Sequence, residues 1–98
     1  MATLQTSDAI RELVVQSPPA PNPSRINAIR ELLGQITIDD SYFFEKRDKL
    51  KRSVDQYFGP RRWQSHRAGA QGVRDDIDRL LRAIERHAIA VNAAKSSP

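Results

Sequence analysis

Two acidic clusters, two histidines and one run of cations are the parts of this 98-residue chain that could do chemistry. Asp39–Asp40 and Asp75–Asp76, the latter followed by Asp78, would suit general acid–base work or a divalent cation if they converged in a pocket. Both clusters fall where helices are expected to begin. Negative charge is favoured there by the helix dipole, so capping is the expectation. Asp75 and Asp76 also point to neighbouring faces of one helix and would not meet on an ion unaided. His66 and His87 sit at equivalent places of a seven-residue pattern but in different segments, a spacing that matches no metal motif. They are expected to be half-buried or interfacial, with a pH-dependent contact as the sharper alternative. The stretch "GAQG" (69–72) follows no strand and lacks the remaining residues of a phosphate-binding loop.

The cations form the stronger constellation. Lys46, Arg47, Lys49, Lys51, Arg52, Arg61, Arg62 and Arg67 could neutralise several phosphates and make binding salt-dependent. Trp63, beside Arg61 and Arg62, matches the aromatic-plus-arginine mixture that stacks on unpaired bases. Several of these charges have local partners in prospect. Glu45–Lys49 and Asp48–Arg52 are well-oriented i,i+4 pairs, and Lys51–Asp55 is the reverse orientation. The remainder, mainly Arg61, Arg62 and Arg67, carries no nucleic-acid motif. A solvated basic face is therefore expected ahead of a phosphate surface.

Charge is unevenly distributed along the chain. Residues 1–45 carry three basic and six acidic groups, residues 46–67 eight and two, and residues 68–98 five and four, which together give +4. The absence of cysteine excludes disulfides, thiolate chemistry and cysteine-ligated zinc, and it suits a reducing compartment. No apolar run approaches the roughly 20 residues of a bilayer span. The start "MATLQTSDAIRE" lacks the basic-then-apolar layout of a signal peptide. A cytoplasmic protein is expected, with no cofactor, no metal and no membrane partner.

Apolar periodicity predicts the elements that must position these groups. "SDAIRELVVQ" predicts a short helix from Asp8 to Gln16, capped by Ser7, with Ile10, Leu13 and Val14 on its apolar face. Pro18, Pro19, Pro21 and Pro23 then predict an extended, flexible linker. A second helix, 23–36, starts with Asn22 as cap and Pro23 at the first helical position, and aligns Ile26, Ile29, Leu33 and Ile36. A third, 40–58, has Thr37 and Asp40 as a capping-box pattern with Asp39 as an alternative cap. It lines up Phe43, Leu50, Val54 and Tyr57, and Gly59–Pro60 ends it. A short helical turn from Pro60 to Ala68 is closed by Gly69. The last helix, 72–93, follows heptads through Trp63, Ala70, Ile77, Ile84 and Val91 and through His66, Val73, Leu80 and His87. The glycines at 69 and 72 are expected to interrupt that pattern near its start.

The predicted fold is all-α: a small three- to four-helix antiparallel bundle with a flexible Pro-rich N-terminal linker. Residues 1–22 form a tethered helix and linker, 23–94 the bundle, and 95–98 a disordered tail. A chain this short buries only about 60–65% of its unfolded surface, so oligomerisation would help it. The function expected is a non-catalytic protein–protein interaction module: an adaptor, inhibitor or assembly factor, not an enzyme. Its partner would be another protein or a second copy of itself. Arg61, Arg62, Trp63, His66 and Arg67 would supply charge and an anchor, and Ile77, Leu80, Leu81 and Ile84 apolar contacts. The alternative is a nucleic-acid-binding accessory protein using 46–67.

Overall fold

The computed structural model describes residues 2–60 and 62–96, and every regular element among them is helical. In chain order these are α1 (Ala2–Val15), α2 (Pro23–Gly34), α3 (Ser41–Phe58), a 3₁₀ turn (Arg62–Ser65) and α4 (Gly69–Ser96). Helix α4 packs along α1 and along α3, and α2 packs against both α1 and α3. The radius of gyration is 13.8 Å, close to the roughly 13 Å of a folded chain this size. The long dimension of 50 Å is set by α4, whose 28 residues extend about 42 Å at 1.5 Å per residue.

The starts of α2 and α3 have a chemical cause. Asn22 accepts the Arg25 N–H at 3.1 Å, and Pro23 occupies the first turn of α2. Asp40 accepts the Phe43 N–H at 2.8 Å and caps α3. The cap thus falls on Asp40, in place of the expected Thr37 or Asp39, because only Asp40 sits with extended backbone immediately before the first helical residue. Helix α4 begins three residues before the expected 72. Gly69 takes a left-handed φ of 65° and donates its N–H to His66 O at 3.0 Å, closing the preceding turn as expected. Gly69 thus interrupts the seven-residue pattern as expected, leaving His66 in the connector before α4, whereas Gly72 lies within the helix.

Helix α1 departs most from expectation. It starts at Ala2, so Ser7 is no cap; it is a buried mid-helix residue whose hydroxyl donates to Glu85 on α4. Local preference favoured a cap, but a tertiary acceptor outweighs it. Ile10 and Val14 are buried in the same cluster as Ile29, Leu33, Phe43, Leu50, Tyr57, Ile77, Leu81 and Ile84. Arg11 forks between Asp78 and Glu85, each at 2.9 Å, and Asp8 at 2.8 Å. The proline-rich connection is held at both ends. Tyr57 donates its hydroxyl to Ser17 O at 3.0 Å, and the Asn22 N–H reaches Phe58 O at 3.0 Å.

On α4 the buried apolar side chains are Val73, Ile77, Leu81, Ile84 and Ala88. Their spacing of four, four, three and four residues tracks a straight 3.6-residue helix, whereas strict sevens drift about 20° per repeat. Val91, Leu80 and His87 are accordingly left at the edge, half-buried.

Candidate functional site

Helix α3 buries Phe43, Leu50, Val54 and Tyr57, and that choice orients everything else on it. Tyr42, Lys46, Lys49, Ser53 and Gln56 share the flank next to α4, whereas Phe44, Arg47 and Lys51 fall on the opposite flank. Across the first flank α4 presents Asp76, Arg79 and Leu80. Between them lies an open cleft of about 420 Å³, with Lys46, Lys49 and Arg52 along one wall and Arg79 on the other.

The ion pairs around this cleft differ in part from those expected. Lys49 meets Glu45 at 2.9 Å, as the spacing predicts, and the Lys49 ammonium holds that carboxyl below its ordinary range, with Lys46 assisting. Asp48, however, accepts from Arg47 at 3.2 Å in place of Arg52. Asp55 pairs with Arg30 of α2 at 2.8 Å in place of Lys51. The acids expected to neutralise Arg52 and Lys51 are therefore committed elsewhere, and Arg52 lines the cleft. The one acid among the described lining residues, Asp76, lies 2.9 Å from His66 Nε2 and 3.4 Å from Arg79.

Asp75, Asp76 and Asp78 are not helix-start residues, because α4 begins at Gly69. Asp75 accepts from Gln71 at 2.9 Å, Asp76 holds the connector through His66, and Asp78 bridges Arg11 and Arg82, each at 2.9 Å. The capping expectation fails for this cluster, and its members serve as cross-links. His66 is half-buried. Its Nδ1 accepts the Ala68 N–H at 3.0 Å, so in the neutral ring the proton sits on Nε2 and faces Asp76. Gly72 lies directly beneath the ring; a Cβ there would overlap Cε1 and Nδ1 of His66 and approach Ala68 Cβ at 2.7 Å. His87, the other histidine, contacts Asp40 at 2.6 Å and Tyr42 at a ring separation of 4.5 Å. Asp40 is pulled below the usual carboxylate range, first by the Phe43 N–H and then by His87.

Of the residues expected to bind a partner, Ile77, Leu81 and Ile84 are at most 2% exposed. They lie in the intramolecular core, in the same buried cluster as Ile10 and Val14 of α1. Leu80 is half-buried, packing against the core at the cleft. Arg67 is exposed. Arg61 lies outside the described residues, as do the side chains of Arg62 and Trp63.

Of the cations proposed for nucleic acid, the fold gathers Lys46, Lys49 and Arg52. Arg47 is turned to the far flank, its guanidinium 4.8 Å from the Phe44 ring centre, and Lys51 shares that flank. Arg79, in the cleft lining, and Tyr42, which adjoins the cleft through Lys46, were missed by sequence reasoning. Tyr42 is four residues before Lys46 and 43% exposed, and the helical spacing was the available signal. Nothing local marks Arg79, which joins the site only through the packing of α4 on α3.

Among the described residues no group of three or more histidine, cysteine or acidic side chains could hold a metal ion. No helix among the described residues is long and apolar enough to cross a membrane. No protein-family model, no curated protein and no solved structure matches this chain.

Proposed function

We propose that this chain is a non-catalytic, nucleic-acid-binding accessory protein whose docking surface is the cleft between α3 and α4. The observation that supports this most is the convergence of Lys46, Lys49 and Arg52 with Arg79 around that open cleft. Four cations brought together across two helices offer a phosphate backbone more than a scattered basic face does, because each phosphate neutralised releases condensed counterions. The burial of Ile77, Leu81 and Ile84 works in the same direction by withdrawing the apolar contacts on which protein docking was to rest. The proposal takes the helices as an antiparallel bundle, which short connections favour, and places the chain in the cytoplasm, where a cysteine-free protein needs no oxidising surroundings.

The second reading is a protein–protein interaction module, with another protein or a second copy as partner. A small groove between α1 and α4, floored by the buried Val14, Ile77 and Leu81 and edged by Arg11, Arg74, Asp75, Asp78 and Val15, favours it, and of its apolar residues Val15 is the accessible one, at 63%. Titration of labelled nucleic acid at two salt concentrations, with the wild type and with a variant carrying Lys46→Gln, Lys49→Gln and Arg79→Gln, tests the first reading. Affinity should fall with salt at about −0.7 to −0.9 in log–log slope per phosphate contacted, and the variant's slope should be shallower. No binding even at low salt would end it. A mass above monomer by light scattering that Val15→Asp abolishes would favour the second.

A further inference from the structure

We propose that the α3–α4 cleft takes single-stranded nucleic acid, with the phosphate backbone along its cations and an unpaired base stacked on Tyr42 at its end. The proposal rests on the nucleic-acid reading above and narrows it to one class of ligand.

Tyr42 is among the few large apolar side chains left exposed, at 43%. It stands one helical turn before Lys46 and two before Lys49, on the flank that faces the cleft. Its ring is braced from α4 by His87, 4.5 Å away with the planes inclined at 38°. His87 is in turn fixed by Asp40 at 2.6 Å. A half-exposed ring held in place is a platform, since little rotamer freedom remains to be lost when something stacks on it. The Lys46 ammonium sits 5.3 Å from the centre of the same ring. It marks an electron-rich face open to a flexible group, and its stem is long enough to swing aside to a neighbouring phosphate as a base arrives.

From Lys46 to Gln56 the wall extends about 15 Å along α3, enough for a short run of extended nucleotides, and Tyr42 adjoins its end through Lys46. A duplex would meet the cations but not the ring, because the faces of its bases are covered by their stacked neighbours. Base–aromatic stacking of this kind tolerates any base, and neither the ring nor the cations read the 2′-hydroxyl.

The experiment is fluorescence anisotropy with labelled oligothymidylate and oligouridylate of about 12 nucleotides and with a duplex of the same length. The wild type should bind both single strands within a few-fold of each other and more tightly than the duplex. Tyr42→Leu should weaken single-strand binding about tenfold and leave duplex binding unchanged. Tyr42→Trp should retain the wild-type affinity, and Phe44→Leu, on the opposite flank, should change nothing. Circular dichroism of each variant checks the fold, and Tyr42→Gln, which removes the ring at this exposed site, carries the test with the same expected loss if Tyr42→Leu is unstable. A duplex preference, or an unchanged Tyr42→Leu affinity while Lys49→Gln and Arg79→Gln still weaken binding, would overturn the single-strand proposal and leave the nucleic-acid reading standing. Failure of every nucleic acid at low salt, whether or not an acidic polyglutamate peptide binds instead, would overturn both.

Discussion

At the scale of single residues, the polar side chains that look most chemical are used to join elements. His66 closes the connector onto Asp76 and rests where Gly72 has no side chain. Gly72→Ala should therefore lower stability by about 1–3 kcal/mol, the usual cost of overpacking, seen as a lower denaturation midpoint. Removing the ring as well, in His66→Ala with Gly72→Ala, should restore part of that loss, which a helix-propensity effect alone would not do. Asp40 carries a pH signature. Its folded pKa is depressed by the Phe43 N–H and by His87, so its contribution to stability is complete above the ordinary carboxylate value of about 3.9 and disappears as pH falls through the lower folded value. Asp40→Asn keeps a good cap but loses the charge. Its midpoint should lie below that of the wild type at neutral pH and converge with it in acid.

At the scale of elements, α1 decides how much of the chain is one folding unit. Ile10 is fully buried and Val14 nearly so, and Arg11 and Ser7 meet carboxylates of α4. Ile10→Ala should cost about 2–5 kcal/mol and shift a single cooperative unfolding transition. A helix merely tethered to the bundle would leave that transition where it was. Ser7→Ala removes one hydrogen bond to Glu85 and should cost about 1 kcal/mol. Glu85 keeps Arg11 as a partner, so the loss stays below that of an orphaned buried charge. Helix α3 works differently, since one flank packs against α2 and the other opens into the cleft. The same burial pattern that builds the core thus sorts its lysines and arginines into those that line the cleft and those that do not.

At the scale of the whole molecule, the large apolar residues left exposed among the described side chains are Val15, Tyr42, Phe44 and Ile89. They are dispersed over three helices and form no broad shared face. Light scattering should accordingly report a mass near 11.1 kDa at micromolar concentration, and a stable dimer would redirect attention to the groove beside Val15. The net charge of +4 gives association with polyanions a general salt dependence. The cleft should add a specific component: the triple variant Lys46→Gln, Lys49→Gln and Arg79→Gln should lose more affinity than an equal number of neutralised cations away from it, such as Arg25, Arg30 and Arg82.

Helical class, the bounds of α2 and α3 to within a residue or two, and the turn at Gly69 were legible in the sequence. Each depends on groups close together in the chain: a capping side chain, a proline at a first turn, an apolar stripe at helical spacing. The sequence also marked Lys46, Lys49 and Arg52 as cations of interest, but it paired Arg52 with Asp48 and Lys51 with Asp55 from local spacing alone. Tertiary packing decided the rest. It turned Ser7 from a cap into a buried donor, assigned Asp55 to Arg30 and Asp78 to Arg11, consumed Ile77, Leu81 and Ile84 in the core, and set Arg79 opposite the lysines of α3. The physical reason is that a helix specifies which residues share its face, while the partner that face meets is chosen by burial summed over the whole chain.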